Sequence, residues 1–358
     1  MKKLPLNDIH ENLGAKMVDF AGFCMPIQYS NGIKIEHETV RKSVGVFDVS
    51  HMGQIFIKGK NSVNFLQYLL SNDVENLAPG KVQYTCMLNH NNGIVDDLLV
   101  YMIDINHYML VVNASNIEKD FNWLNKENRF DCEIINKSDN YSILAVQGPK
   151  SKDLLSQLTN GNIKQLKYYN FFIGSIKDVS NVIISRTGYT GELGFELYIK
   201  NKFAEKVWYH LFNTNISLSP IGLAARDTLR MEKGFCLYGN DIDESTSPIE
   251  AGLSWITKFN KKFINFDNLS KEKLNGPIRK LIGLELIDRG IARKDYEIYC
   301  SKNQIIGNIT SGTMSPTLSK SIALGYVKTE YSHIGTELYV KVRNKLLKSI
   351  VVNFPFVK

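Results

Sequence analysis

Asn91-Asn92-Gly93-Ile94-Val95-Asp96-Asp97-Leu98-Leu99-Val100-Tyr101-Met102-Ile103 is a turn signal followed by an apolar run with two carboxylates in its first half. Asn-Gly between apolar runs is the strongest short-range cue for a hairpin. The preceding Gln83-Tyr84-Thr85-Cys86-Met87-Leu88 is therefore the expected partner strand. Successive side chains of a strand point to opposite faces. Asp97 then shares a face with Leu99, Tyr101 and Ile103, and Asp96 lies with Leu98, Val100 and Met102. Both faces are mostly apolar, so at least one carboxylate is expected where water is scarce, and such a group is costly unless paired or hydrogen-bonded. On this stretch alone, hydrogen bonding at a strand start accounts for both.

Outward from the hairpin, Asp104-Ile105-Asn106-His107 turns into a third antiparallel strand, Tyr108 to Asn113, and a helix is expected from Ile117 to Lys126. Upstream, a helix near Leu6 to Leu13 and a short strand, Lys16 to Phe20, precede a loop rich in Gly and Pro. A charged amphipathic helix, Ile33 to Lys42, leads into the apolar strand that starts at Gly45 and ends in the polar elbow Ser50-His51-Met52-Gly53. A strand (Gln54 to Ile57) and a helix (Ser62 to about Ser71) follow. Helices interleaved with antiparallel strands indicate an α+β domain. Asp48 and His51 are spaced for an acid–base pair, but separate local hydrogen bonds are the plainer expectation.

Residues 133–200 alternate strand runs with one amphipathic helix, Pro149 to Leu158. Within them, Gly188, Gly191 and Gly194 form a turn between two strands. The spacing is not G-x-G-x-x-G and no helix follows, which argues against a phosphate-cradling loop. Beyond Gly194, Phe195, Leu197 and Ile199 share one face while Glu196 and Tyr198 share the other. On alternation alone, Glu196 is a solvent-facing residue of a half-exposed strand. Pro220 to Gly234 reads as a helix with a glycine C-cap, carrying Arg226 and Arg230 on one face. The acidic Asn240-Asp241-Ile242-Asp243-Glu244 lacks the spacing of a calcium loop, and no metal is expected. Ser247-Pro248-Ile249-Glu250 is a capping box, which gives Glu250 a structural task.

Lys and Asn accumulate near 260–277, and Gly276-Pro277 interrupts the chain. This divides a first region, 1–270, from a second, 277–358. From Leu281 onward, six short strand runs separated by Gly, Asn and Ser predict an all-β barrel or jelly roll.

Composition narrows the function classes. The net charge of +7 over 358 residues is spread along the chain, with no run suited to a nucleic-acid arm. The five cysteines are odd in number, far apart and without C-x-x-C, which argues against a disulfide framework or zinc site and for a reducing compartment. No signal-peptide core and no membrane-length apolar run is visible, so the expectation is a soluble, cytoplasmic protein.

Seven stretches, taken together, resemble the aminomethyltransferase (T-protein) family of the glycine cleavage system over nearly the whole chain. They are Phe47-Asp48-Val49-Ser50-His51-Met52, Gly93-Ile94-Val95-Asp96-Asp97-Leu98, Leu144-Ala145-Val146-Gln147-Gly148-Pro149, Arg186-Thr187-Gly188-Tyr189-Thr190-Gly191-Glu192, Gly222-Leu223-Ala224-Ala225-Arg226-Asp227-Thr228-Leu229-Arg230, Tyr238-Gly239-Asn240-Asp241-Ile242 and Ser311-Gly312-Thr313-Met314-Ser315-Pro316-Thr317-Leu318. The resemblance implies two intertwined α+β domains of ferredoxin-like or Greek-key type and then a β-barrel, in a cloverleaf with tetrahydrofolate at its centre. It implies transfer of a methylene unit from an aminomethyl-lipoyl carrier (H-protein) to tetrahydrofolate, with ammonia released, and no metal.

Residue by residue, the resemblance matches Glu196 to the carboxylate that accepts the pterin's two parallel N–H donors. It matches Arg226 to a ligand-binding arginine, which either contacts ligand or keeps Glu196 charged. Tyr84, Tyr169 and Tyr189 are expected to stack on the ligand, with Met52, Val112 and Asn113 lining the cavity. Asp97 corresponds to the acid beside the folate nitrogens that receive the one-carbon unit. Some family members continue past the position of Lys358 with a tail containing a tyrosine near the ligand; its role is expected to be filled otherwise here or not at all. Two rival readings remain at this level: a folate-dependent demethylase of a small methylated amine or sulfonium, and a non-catalytic folate-binding assembly protein. The latter's Lys-Gly-Cys-Tyr-x-Gly-Gln-Glu signature is replaced here by Lys233-Gly234-Phe235-Cys236-Leu237-Tyr238-Gly239-Asn240.

Overall fold

Asn92 takes φ +71° and turns the chain from strand β5 (Val82–Leu88) into β6 (Ile94–Asp104), at the corner the Asn-Gly pair predicts. The Asn89 side-chain oxygen accepts the N–H groups of Asn91 (2.8 Å) and Gly93 (2.9 Å), which sets the turn. Gly93 is required for a different reason: a Cβ there would lie 1.7 Å from the Glu244 carbonyl oxygen. The computed structural model describes residues 1–358.

The hairpin opens a five-stranded sheet of order β5-β6-β7-β4-β8, with β4 at Gly53–Lys58, β7 at His107–Val112 and β8 at Glu133–Asn136. A six-stranded sheet has the order β10-β11-β12-β9-β3-β13, formed by Phe171–Ile176, Val179–Ser185, Gly194–Lys200, Tyr141–Gln147, Gly45–Asp48 and Ser219–Pro220. Only the β13·β3 pair is parallel. A short ribbon pairs β1 (Lys16–Phe20) with β2 (Phe23–Gln28). The last six strands close a barrel in the order β14-β17-β16-β15-β18-β19: Arg279–Leu286, Lys320–Lys328, Ile305–Ser315, Glu297–Tyr299, Glu337–Val342 and Lys345–Val352. The fold is thus α+β followed by an all-β barrel, closed rather than a jelly roll.

Two compact units interleave along the sequence. The first comprises Met1–Leu66, Val74–Tyr84 and Leu98–Asp227; the second comprises Gln67–Asp73, Thr85–Asp97 and Thr228–Lys358. In the first, the Phe195, Leu197 and Ile199 stripe of β12 joins Trp208 and Leu211 of the helix Ala204–Phe212 in one apolar core. The opposite face of β12 is buried as well, Tyr198 completely and Glu196 at 9% exposure. The expected half-exposed strand is therefore corrected: alternation sorted the side chains between faces, but both faces are covered.

In the second unit the helix Leu223–Glu232 (which starts in the first) ends as the glycine cap predicts, with Gly234 at φ +67°. The Phe235 N–H bonds the Arg230 carbonyl (3.1 Å) and the Gly234 N–H bonds that of Met231 (3.0 Å), a Schellman closure. Arg230 is buried and donates to Asp241 (2.7 Å) and to Ser311 on the barrel (2.9 Å). Asp241, the centre of the acidic cluster, also accepts from Ser311 at 3.0 Å, and Thr310 donates to its other oxygen. The capping box forms its reciprocal bonds, Glu250 N–H to Ser247 Oγ (3.1 Å) and Ser247 N–H to the Glu250 carboxylate (3.3 Å), yet only a turn follows. Glu250 is instead paired with Arg279 at 3.1 Å. No helix is long and apolar enough to cross a membrane.

Breaking a buried ion pair from one side strands the other charge. Asp241→Ala, which leaves Arg230 without its carboxylate, is expected to lower unfolding free energy by about 3–5 kcal/mol, measured by urea denaturation; a loss under about 1 kcal/mol would contradict this account of the pair.

Candidate functional site

The site in the first unit is built on the β11–β12 hairpin and the loop joining its strands. That loop, 186–193, is shaped by Gln147 of the neighbouring strand. A Cβ at Gly188 would come within 2.1 Å of the Gln147 side chain and one at Gly194 within 2.3 Å, so two of the three spaced glycines make room for it. The amide donates to the Thr187 carbonyl (3.2 Å) and accepts from the Thr190 hydroxyl (2.9 Å). Arg41 holds the far side, donating to the Thr190 carbonyl (2.7 Å) and the Glu192 carboxylate (2.9 Å). Gly191 turns the chain at φ +74°.

Glu196 pairs with Ser185 across β11·β12 and with Ala145 across β12·β9. Its Oε2 accepts from the Thr187 hydroxyl and, at 3.4 Å, from the Tyr198 hydroxyl. Behind them, the Tyr101 hydroxyl of β6 lies 2.8 Å from that of Tyr198, 3.1 Å from Ser185 Oγ and 3.3 Å from Thr187 Oγ1. Burial pushes the Glu196 carboxyl above its ordinary range; the Thr187 hydrogen bond, the Arg226 charge and the Tyr198 hydrogen bond pull it back.

Arg226 carries its guanidinium over the Tyr189 ring, 4.5 Å from the centroid. Its charge acts on both Glu196 and His51. Arg230, one turn on, is committed to Asp241, so the two arginines read from one helix face have different tasks. Tyr169 occupies the left-handed region at φ +58°, a conformation that costs energy in a residue other than Gly. Its ring meets that of Tyr168 edge-on, with centroids 4.6 Å apart. Burial raises the Tyr169 hydroxyl pKa, with Tyr168, Tyr101 and Glu196 adding to it.

The structure thus brings Glu196, Arg226, Tyr189 and Tyr169 together. Met52 is less direct: it lines a cavity of about 230 Å³ with Phe23, His51, Ile117 and Tyr141. Val112 is buried at the end of β7, opposite Gly53, and Asn113 starts the 3-10 turn Ala114–Asn116. Tyr84 is half-buried on β5. Asp97 belongs to the second unit; it is half-buried and its charge acts on the buried Cys86 and Cys236 thiols. Asp96 is fully buried, as one of the pair was expected to be.

Sequence reasoning missed Thr187, Ser185 and Tyr101. Tyr101 shares a strand face with Asp97, and Ser185 and Thr187 lie in alternation ahead of the glycine turn, so periodicity contained a signal for each. It did not contain their meeting. Asp48 and His51 form no pair: Asp48 accepts from Ser50 N–H (2.9 Å) and lies 2.9 Å from His10 Nε2. His51 is buried edge-on to Phe20, with Nδ1 unpartnered. No group of three or more His, Cys, Asp or Glu is arranged to hold a metal ion.

Two family models match in tandem, the GCVT N-terminal domain over residues 6–261 and the glycine cleavage T-protein C-terminal barrel domain over 279–358. The chain belongs to the glycine cleavage T-protein family. An aminomethyltransferase of Bacteroides fragilis is 54% identical over 362 residues and one of Flavobacterium psychrophilum 51% over 360, each comparison covering all of both chains. The crystal structure of glycine cleavage system aminomethyltransferase T from Bartonella henselae superposes with a TM-score of 0.93 at 35% identity, covering 99% of this chain and 98% of that one. The family and the α+β-then-barrel architecture are those the seven sequence stretches implied.

Desolvation, with Arg226 adding to it, holds the His51 imidazole down to about pKa 3, against an opposing pull from Asp48. An unfolded histidine titrates near 6.5. Between those values the unfolded chain binds a proton that the native one does not, so this stabilisation is present above pH ~6.5 and is lost as pH falls toward 3. Replacing His51 by glutamine is expected to flatten the pH dependence of unfolding free energy between about pH 6 and 4, measured by urea denaturation; an unchanged slope would remove His51 as a cause.

Proposed function

We propose that the chain is a tetrahydrofolate-dependent aminomethyltransferase of glycine cleavage. It takes the methylene unit from an aminomethyl group on a dihydrolipoyl carrier protein and gives it to tetrahydrofolate, leaving 5,10-methylenetetrahydrofolate, ammonia and the dihydrolipoyl carrier. The observation that carries this reading is the buried Glu196. Both of its hydrogen bonds fall on Oε2, which leaves Oε1 for a ligand's N–H groups.

A reduced pterin presents a ring N–H and an exocyclic amine side by side, and the two lone pairs of Oε1 are the acceptors left for that edge. A buried acid otherwise short of donors fits that edge. Arg226 keeps the carboxylate charged through space, and its stacking on Tyr189 fixes where that charge sits. Tyr189, Tyr169 and Tyr84 supply aromatic faces for the ring and benzoyl group, and Met52, Val112 and Asn113 are the less direct contributors to the ligand's surroundings in this reading. Folate when bound supplies the two nucleophilic nitrogens. Asp97 is the residue that orients them and stabilises the positive charge developing as the amine departs. Alignment contributes most, because two bound reactants need positioning more than activation.

The lipoyl carrier is the macromolecular partner in this reading, with no nucleic acid and no membrane. Relatives of this identity, all named aminomethyltransferases, support it over the demethylase and assembly-protein alternatives. Five buried cysteines with no disulfide among them suit a reducing cytoplasm. The barrel from 277 onward is proposed as a domain separate from the folate-binding region, 1–270.

Asp97→Asn is expected to lose most of kcat while calorimetric affinity for tetrahydrofolate stays within about threefold; parallel loss of both would remove the catalytic assignment. Glu196→Ala is expected to weaken tetrahydrofolate binding at least about tenfold, and unchanged affinity would sink the pterin role.

A further inference from the structure

The hydroxyls behind Glu196 form a connected set that ends on an oxygen able only to accept. Each hydroxyl has one proton, and an ionised carboxylate only accepts. Thr187 gives its proton to Oε2, and Tyr198 gives its own to the same oxygen at 3.4 Å. Tyr198 is then left accepting, and the Tyr101 hydroxyl stands 2.8 Å away on another sheet. Tyr101 and Tyr198 are both fully buried, and their rings meet at 70° with centroids 5.4 Å apart, so neither oxygen is a surface accident.

We propose that Thr187, Tyr198 and Tyr101 are positioning residues of the ligand site: the Thr187 and Tyr198 hydroxyls bond Oε2 of Glu196, the Tyr101 hydroxyl backs that of Tyr198, and together they fix the carboxylate in its ionised form and turn Oε1 toward the ligand's N–H edge. This rests on the reading of Glu196 given above. Physical economy favours hydroxyls in this place. A cation in contact with Oε2 would neutralise the acid and compete with the ligand for its lone pairs, whereas neutral donors stabilise the charge without capturing it. The groups facing Glu196 are Tyr198 and Thr187 from its own hairpin, Tyr101 from β6, Tyr168 and Tyr169 from the loop before β10, and Arg226 from its helix. The tyrosines stay neutral because burial raises each of their pKa values, and a guanidinium stays charged. Glu196 is then the group among them that titrates as the solution is acidified. Its affinity limb lies above the ordinary glutamate range, and removing a hydroxyl donor moves that limb to higher pH.

The test is calorimetric affinity for tetrahydrofolate as a function of pH in the full chain, with steady-state KM and kcat alongside. Tyr198→Phe and Thr187→Val are expected to weaken binding about tenfold near neutral pH and to shift the acid limb upward, with the loss larger in KM than in kcat. Thr187→Ser, which keeps the hydroxyl, is expected to restore both. Tyr101→Phe, one bond removed, is expected to do the same to a smaller extent, about threefold. Affinity lost equally at every pH, or unrecovered in the serine variant, would reduce the cluster to packing and overturn the proposal. An unmoved affinity and limb in folded Tyr198→Phe would overturn it as well. If Thr187→Val fails to fold, Thr187→Ser and Tyr101→Phe still decide it. Failure of the parent reading is separate: Glu196→Ala would then bind tetrahydrofolate as wild type does.

Discussion

A carboxylate removed from water is among the least favourable groups a fold can contain, and the first unit is arranged around one. Glu196 lies on a strand buried on both faces, where desolvation raises its pKa. What offsets that cost is a pair of hydroxyl donors on a single oxygen and a guanidinium acting through space. Each of these requires a particular piece of backbone. Thr187 is placed by the loop that Gln147 pins, and Gln147 fits only because positions 188 and 194 have no side chain. Arg226 is oriented by the ring of Tyr189, a residue of the same loop. The glycine-rich turn is thus a support for one acid rather than a cradle for phosphate.

Much of this was legible from the chain, up to a definite limit. Alternation placed Glu196 and Tyr198 together and away from Phe195, Leu197 and Ile199, and the structure keeps that division. Period-two reasoning, however, names a face without naming what covers it. The cover comes from Tyr101, 97 residues before Tyr198, so the expectation of a solvent-facing acid gave way. The same limit applies to Asp48, whose partner is His10, 38 residues earlier, rather than the nearby His51. Local turn chemistry fared better: the Asn92-Gly93 corner and the Schellman closure at Gly234 stand where their residues predict. The capping box at Ser247 forms its bonds without a helix behind it, because capping satisfies donors and does not by itself meet the cost of nucleation.

The second unit shows the complementary use of charge. Asp241 sits in an acidic run that invites a metal reading, yet its lone pairs are occupied by Arg230, Thr310 and Ser311. Here both partners are fully enclosed, and the pair ties the end of a helix to barrel strand β16. A saturated ion pair of this kind contributes geometry, since its desolvation consumes most of its Coulombic gain.

The contrast between the two acids shows how a fold separates structural from binding charge. Asp241 meets a cation at 2.7 Å and has its second oxygen taken by a barrel hydroxyl, so no capacity remains for a ligand. Glu196 is nearly as buried, but its donors are neutral and gathered on one oxygen. The difference is not in the acid or in its depth but in which residues the surrounding strands supply. A contact arginine beside Glu196 would make the native state more comfortable and the site inert. Leaving part of the desolvation cost uncompensated is what keeps such a group able to bind.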